Sequence, residues 1–186
     1  DIKKQEKKEE KYFMSKIPTL DDTIGGFGKQ NLIVITAPTG QGKTSYCLTL
    51  TRNFSEQGIK TLWFSYEMSI WEIINIFGEN MPVAFSPNAM ISRTLIWLER
   101  KIVEAIVKYG IEIIFIDHLH YLIDLSNRTG SGNMSLDIGD IIRNLKLIAK
   151  KYNITIFLVA HLTKTKYEEA IELQHLRDSS FIAQEA

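Results

Sequence analysis

The segment Ala37-Pro38-Thr39-Gly40-Gln41-Gly42-Lys43-Thr44, continued by Ser45, sets two glycines, a primary amine and a hydroxyl in close succession. An apolar run, Leu32 to Thr36, leads into it, and a helical pattern leaves it with Cys47, Leu50 and Phe54 at three- and four-residue spacing. In that setting backbone N–H groups and a helix N-terminus can wrap phosphate oxygens. Lys43 is expected to reach the terminal phosphates of ATP, and the Thr44 hydroxyl to ligate magnesium. Ala37 stands where the phosphate-loop pattern has its first glycine. That position shapes the loop and carries no charge, so no loss of binding is expected from it. The plain alternative, a glycine turn without nucleotide, has the flanking strand and helix against it.

Three further side chains stand where strands should end. Asp117 closes the apolar run Ile113 to Ile116, so a carboxylate at the sheet edge could hold a magnesium shell, although a buried strand can also simply end in a polar residue. Glu67 follows Trp63-Phe64-Ser65-Tyr66 and is either a base for an attacking water or a surface glutamate. His161 follows Ile156 to Ala160 and is either a neighbour of the γ-phosphate or a hydrogen-bonded edge histidine. His118 and His120 share a face of an extended segment, but without another ligand cluster they read as loop residues, not a zinc pair.

The elements that must position these groups alternate along the chain. Strands are expected at Leu32 to Thr36, Thr61 to Ser65, Ile111 to Asp117 and Ile154 to Ala160, the third too apolar to have a wet side. Helices are expected after Lys43 until Gly58, from Ser69 to Phe77, along Leu95, Leu98, Ile102, Ala105, Ile106 and Tyr109, and along Ile138, Ile141, Ile142, Leu145, Ile148 and Ala149. A looser stretch carries Pro82 and Pro87, and Ser126 to Ser135 reads as a loop. Such alternation predicts an α/β fold, a mainly parallel central sheet with helices on both faces and ligands at the carboxyl ends of the strands.

At 186 residues, one core with an N-terminal extension is expected. Residues 1–16, charged at their start, are grouped as a linker or subunit-docking segment, and 17–186 as the core. Formal net charge is zero, so any nucleic-acid contact must come from local patches. The single cysteine, Cys47, rules out an internal disulfide and points to a reducing compartment. No apolar run approaches the roughly 18 residues that span a bilayer, and neither export nor a membrane is signalled.

Taken in order, several segments resemble the DnaB-type replicative helicases, ring-forming RecA-like P-loop ATPases. They are Ile17 to Gly28, the phosphate loop, Phe64 to Met68, Ile114 to His120, Val159 to Leu162, and Leu176 to Glu185. By this resemblance Glu67 looks like the catalytic glutamate, Asp117 like the magnesium-associated aspartate and His161 like the γ-phosphate sensor, a histidine there leaning toward phage and mitochondrial relatives. The loops bearing Arg128 and Lys164, Lys166 and Arg177 resemble those that face single-stranded DNA. The implied function is an ATP-driven replicative helicase motor working as a hexameric ring in the cytoplasm of a bacterial or phage-infected cell, with the mitochondrial matrix second and a primase or loader as partner. The alternative is a RecA-like regulatory or recombination ATPase that does not unwind. The resemblance also implies that Ala186 stands just before the strand that would carry an arginine finger.

Overall fold

The computed structural model describes residues 12–92, 94–123 and 134–161. Thirteen elements follow one another among them: β1 Tyr12–Phe13, α1 Pro18–Ile24, β2 Phe27–Gly28, β3 Leu32–Ala37, α2 Lys43–Ser55, β4 Thr61–Ser65, α3 Ile70–Phe77, β5 Ala84–Phe85, α4 Leu95–Tyr109, β6 Ile113–Asp117, α5 His120–Ile123, α6 Met134–Tyr152 and β7 Thr155–His161. Five strands form a parallel sheet in the order β3-β7-β6-β4-β5, and β1 pairs with β2 as a small antiparallel sheet.

Burial alternates along the strands by face. Leu62, Phe64, Ile114, Ile116, Ile156 and Leu158 join a core with Leu98 and Ile102 of α4 and Ile142 and Leu145 of α6. Trp63, Ile113, Phe115, Phe157 and Val159 join a second core with Cys47, Leu50 and Phe54 of α2 and Ile73 and Phe77 of α3. A period-two pattern that is apolar at both phases needs a helix layer on each side, as the continuous apolar runs predict. Trp63, Phe115 and Phe157 lie in register on adjacent strands and stack with centroids 4.8 and 4.9 Å apart. The indole N–H of Trp63 donates to Thr51 Oγ1 at 2.9 Å, which removes the cost of burying it on the α2 side.

The helices start where their sequences cap them. Ser69 Oγ accepts from the Glu72 amide while the Glu72 carboxylate accepts from the Ser69 amide, a reciprocal box that begins α3. Thr94 Oγ1 accepts from the Trp97 amide at the start of α4.

Some expectations shift. Within residues 12–16, grouped with the charged segment, Phe13 is fully buried, and Asn53 of α2 and Gln57 just beyond its end donate to the carbonyls of Ser15 and Met14 at 2.7 and 2.9 Å. The looser stretch around Pro82 contains β5, which adds an outer strand beside β4. Met134 and Ser135, expected in a loop, belong to α6. Ser126 to Asn133 of that loop, the segment Leu176 to Glu185 and residues 1–11 lie outside the described residues.

Candidate nucleotide site

Parallel pairing carries every strand's carboxyl end to one edge of the sheet. The register there sets Ala37 beside His161, Asp117 beside Val159, and Ser65 beside Asp117. Residues from 37 to 161 in the sequence therefore share one edge, where open α/β sheets bind ligands.

The loop between β3 and α2 turns through two left-handed glycines, Gly40 at φ 80° and Gly42 at φ 78°. Gly42 is the N-cap of α2, and no side chain caps it, so the first amides of the helix are directed at the loop. Neither glycine has a heavy atom near the position of an added Cβ; the requirement is conformational, not steric. Lys43 is buried, and its ammonium donates to the carbonyls of Ala37 and Pro38 at 2.8 and 2.9 Å, across the mouth of the loop. Burial pulls its pKa down, while the carboxylates of Asp117 and Glu67 act in the opposite sense. Pro38, Thr39 and Gln41 form the rest of the turn, and Ser45 lies in the first turn of α2.

Thr44 Oγ1 donates to Asp117 Oδ2 at 2.8 Å. This bond joins the start of α2 to the end of β6 across the intervening β7. Two hard oxygen donors so close suit magnesium, which prefers oxygen and takes few protein ligands when phosphates supply the rest. Asp117 is fully buried, so its carboxylate is held without solvent screening. The donor set and the loop thus fit a nucleoside triphosphate with its magnesium.

Glu67 lies just past the end of a strand with the expected bounds. β4 stops at Ser65, and Glu67 stands two residues beyond it, in the turn before α3, with a half-exposed side chain. Its Oε2 lies 3.8 Å from His118 Nε2, an ion-pair distance and not a hydrogen bond. The His118 ring packs on Tyr121 at 4.9 Å, and Tyr121 stacks on Tyr66 at 5.9 Å. His118 stands in the connection between β6 and α5, a loop residue as expected, whereas His120, expected in the same loop, is the first residue of α5. His161 is the last residue of β7, one position inside the strand and not after it. Arg128, Lys164, Lys166 and Arg177 lie outside the described residues.

Comparison with known proteins adds the family. The chain spans less than half the length of the curated relatives it matches. It is 24% identical over 204 residues to a probable replicative DNA helicase of Trieres chinensis, covering 90% of this chain and 44% of that protein. It is 26% identical over 176 residues to one of Guillardia theta, covering 78% and 29%. It is 29% identical over 140 residues to the DNA repair protein RadA of Campylobacter jejuni, covering 75% and 30%. Among solved structures, the ATPase domain of G40P superposes with a TM-score of 0.80 at 20% identity, covering 93% of this chain and 72% of that one. A DnaB-like replicative helicase solved for its interactions with primase gives the same score at 19% identity, covering 93% and 49%. These two likenesses show the RecA-like α/β fold. The model of the DnaB-like helicase C-terminal domain matches residues 13–83 and 78–186, nearly all of the fold and every strand-edge residue described above, and the chain belongs to that family.

Proposed function

We propose that this chain is the ATP-driven motor of a replicative DNA helicase, which hydrolyses ATP to move along single-stranded DNA and separate the duplex. The Thr44–Asp117 hydrogen bond carries this reading, because it joins the phosphate loop to the strand-end carboxylate at the edge where Glu67 also stands. In this reading the residues of the Ala37 to Ser45 segment bind the triphosphate, and Lys43 leaves its loop carbonyls to pair with the terminal phosphates. Thr44 holds magnesium, and Asp117 supports it directly or through water. When bound, the metal would neutralise charge developing between the phosphoryl groups. Glu67 orients and deprotonates the attacking water. His161, in register with Ala37 at the loop's entry, senses the γ-phosphate and relays its loss to the segment that follows. Arg128, Lys164, Lys166 and Arg177 contact single-stranded DNA. The working assembly is a hexameric ring in the cytoplasm, with a primase or loader as partner.

Three variants of the full-length protein test the roles together. Lys43→Ala is expected to weaken ATP binding. Glu67→Gln is expected to spare binding and stop turnover, since it removes a base without removing a phosphate contact. His161→Ala is expected to lose DNA stimulation of hydrolysis more than nucleotide affinity. Equal loss of affinity in the first two, or unchanged stimulation in the third, rejects the corresponding role. Similarity to a protein named for DNA repair is the reason to test the second reading, a RecA-like regulatory or recombination ATPase that does not unwind. Strand displacement of a forked duplex by the full-length protein separates the two.

A further inference from the structure

The Glu67 side chain is half-exposed and its carboxylate comes no nearer than 3.8 Å to His118 Nε2, so its aim depends chiefly on the backbone of the turn that carries it. That turn is fastened at three points. At its start, the Tyr66 amide donates to the Asp117 carbonyl at 2.8 Å, which ties it to the neighbouring strand. At its end, the reciprocal Ser69–Glu72 box fixes the first turn of α3. Between them, the Ser65 hydroxyl donates to the Met68 carbonyl at 2.7 Å and accepts from the Met68 amide at 3.1 Å. One oxygen thus closes the Tyr66-Glu67-Met68 bend from inside, using both of its hydrogen-bonding senses. Alanine would leave these Met68 groups without that partner and let the bend open, whereas threonine retains the hydroxyl.

We infer that Ser65 is a positioning residue for hydrolysis: its hydroxyl clasps the bend that aims Glu67 at the attacking water, and it touches neither nucleotide nor metal. This rests on the assignment of Glu67 as the base. A base displaced by about 1 Å from its line to the water loses on the order of a hundredfold in rate, while a phosphate contact elsewhere is unaffected. The signature of Ser65 is therefore a fall in kcat at constant nucleotide affinity.

The test compares Ser65→Ala, Ser65→Thr, Glu67→Gln and the Ser65→Ala/Glu67→Gln double variant in the full-length protein. Steady-state ATP hydrolysis, binding of a non-hydrolysable ATP analogue with magnesium, and the melting temperature are measured for each. Ser65→Ala is expected to lower kcat by about 10- to 100-fold with analogue affinity held within roughly twofold. Ser65→Thr is expected to recover most of the rate, and the double variant to be no slower than Glu67→Gln alone, since there is then no base to aim. If Glu67→Gln itself turns over normally, the base assignment fails, and the role of Ser65 with it. If Glu67→Gln is dead but Ser65→Ala keeps its kcat, the clasp alone is overturned. A Ser65→Ala variant that loses rate, analogue affinity and melting temperature together, or one that threonine does not rescue, shows a merely structural serine and also overturns the inference.

Discussion

Cys47 lies one turn into α2 behind the phosphate loop, fully buried against the second core. Burial pushes its thiol pKa far up, with a smaller contribution from the Asp117 carboxylate. Because the folded value is raised above the unfolded one, the linked stability is complete below the ordinary thiol range and is lost as pH climbs above it. Thiolate is the reactive species, so the native protein should resist a thiol reagent at pH 8 and react in step with unfolding. Labelling measured against denaturant checks this: a fast phase in native buffer contradicts the packing of α2. Lys43 and Asp117 are also buried, yet each is held by oxygens or a hydroxyl, which is the condition for a buried charge to persist.

At the scale of elements, what could be read in advance depended on length and repetition. α2, α4 and α6 each bury several residues at three- and four-residue spacing, and Leu98, Ile102, Ile142 and Leu145 fall inside as their spacing requires. β3, β4, β6 and β7 were legible because three to five consecutive apolar residues leave no wet face. β5 was not, since two residues carry no period and Pro82 and Pro87 surround it. β1 was hidden by the charges before it: Phe13 belongs to the core, while neighbouring Tyr12 and Met14 are exposed. The site divides likewise. Gly42-Lys43-Thr44 is a contiguous signal, and Asp117 closes a conspicuous strand, but the Ser65 clasp and the approach of His118 to Glu67 are made by folding and have no linear signature. Element ends also carry separable stability. Thr94→Ala removes the acceptor for the Trp97 amide and should destabilise the protein by about 1 kcal/mol. Since α4 covers the face opposite α2, nucleotide affinity should not change; urea denaturation together with analogue binding checks both halves.

Across the whole molecule the 22 basic and 22 acidic side chains cancel, and several described cations are engaged with neighbouring acids, including Lys16 with Glu56, Lys29 with Glu112, Lys101 with Glu104 and Lys151 with Glu99. Long-range attraction for a polyanion is therefore weak, and a DNA contact must be local. The sheet supplies a place for one. β6 and β7 are adjacent and parallel, so the connections that leave them start at the edge that carries Thr44 and Asp117. Arg128, Lys164, Lys166 and Arg177 lie farther along the chain, outside the described residues, and the proposal that they contact single-stranded DNA would bring them to that edge. Hydrolysis and DNA grip would then meet at one side of the molecule. If each of the four cations neutralises one phosphate, replacing it with glutamine should flatten the dependence of log affinity on log salt by about 0.7 for a single strand. Glutamine at Lys101, which faces Glu104 on α4, should leave the slope as it was. Fluorescence titrations of the full-length protein with an oligothymidylate over a range of salt concentrations read both quantities. A slope unmoved by all four substitutions, or moved as much by Lys101→Gln, would place the DNA somewhere other than this edge.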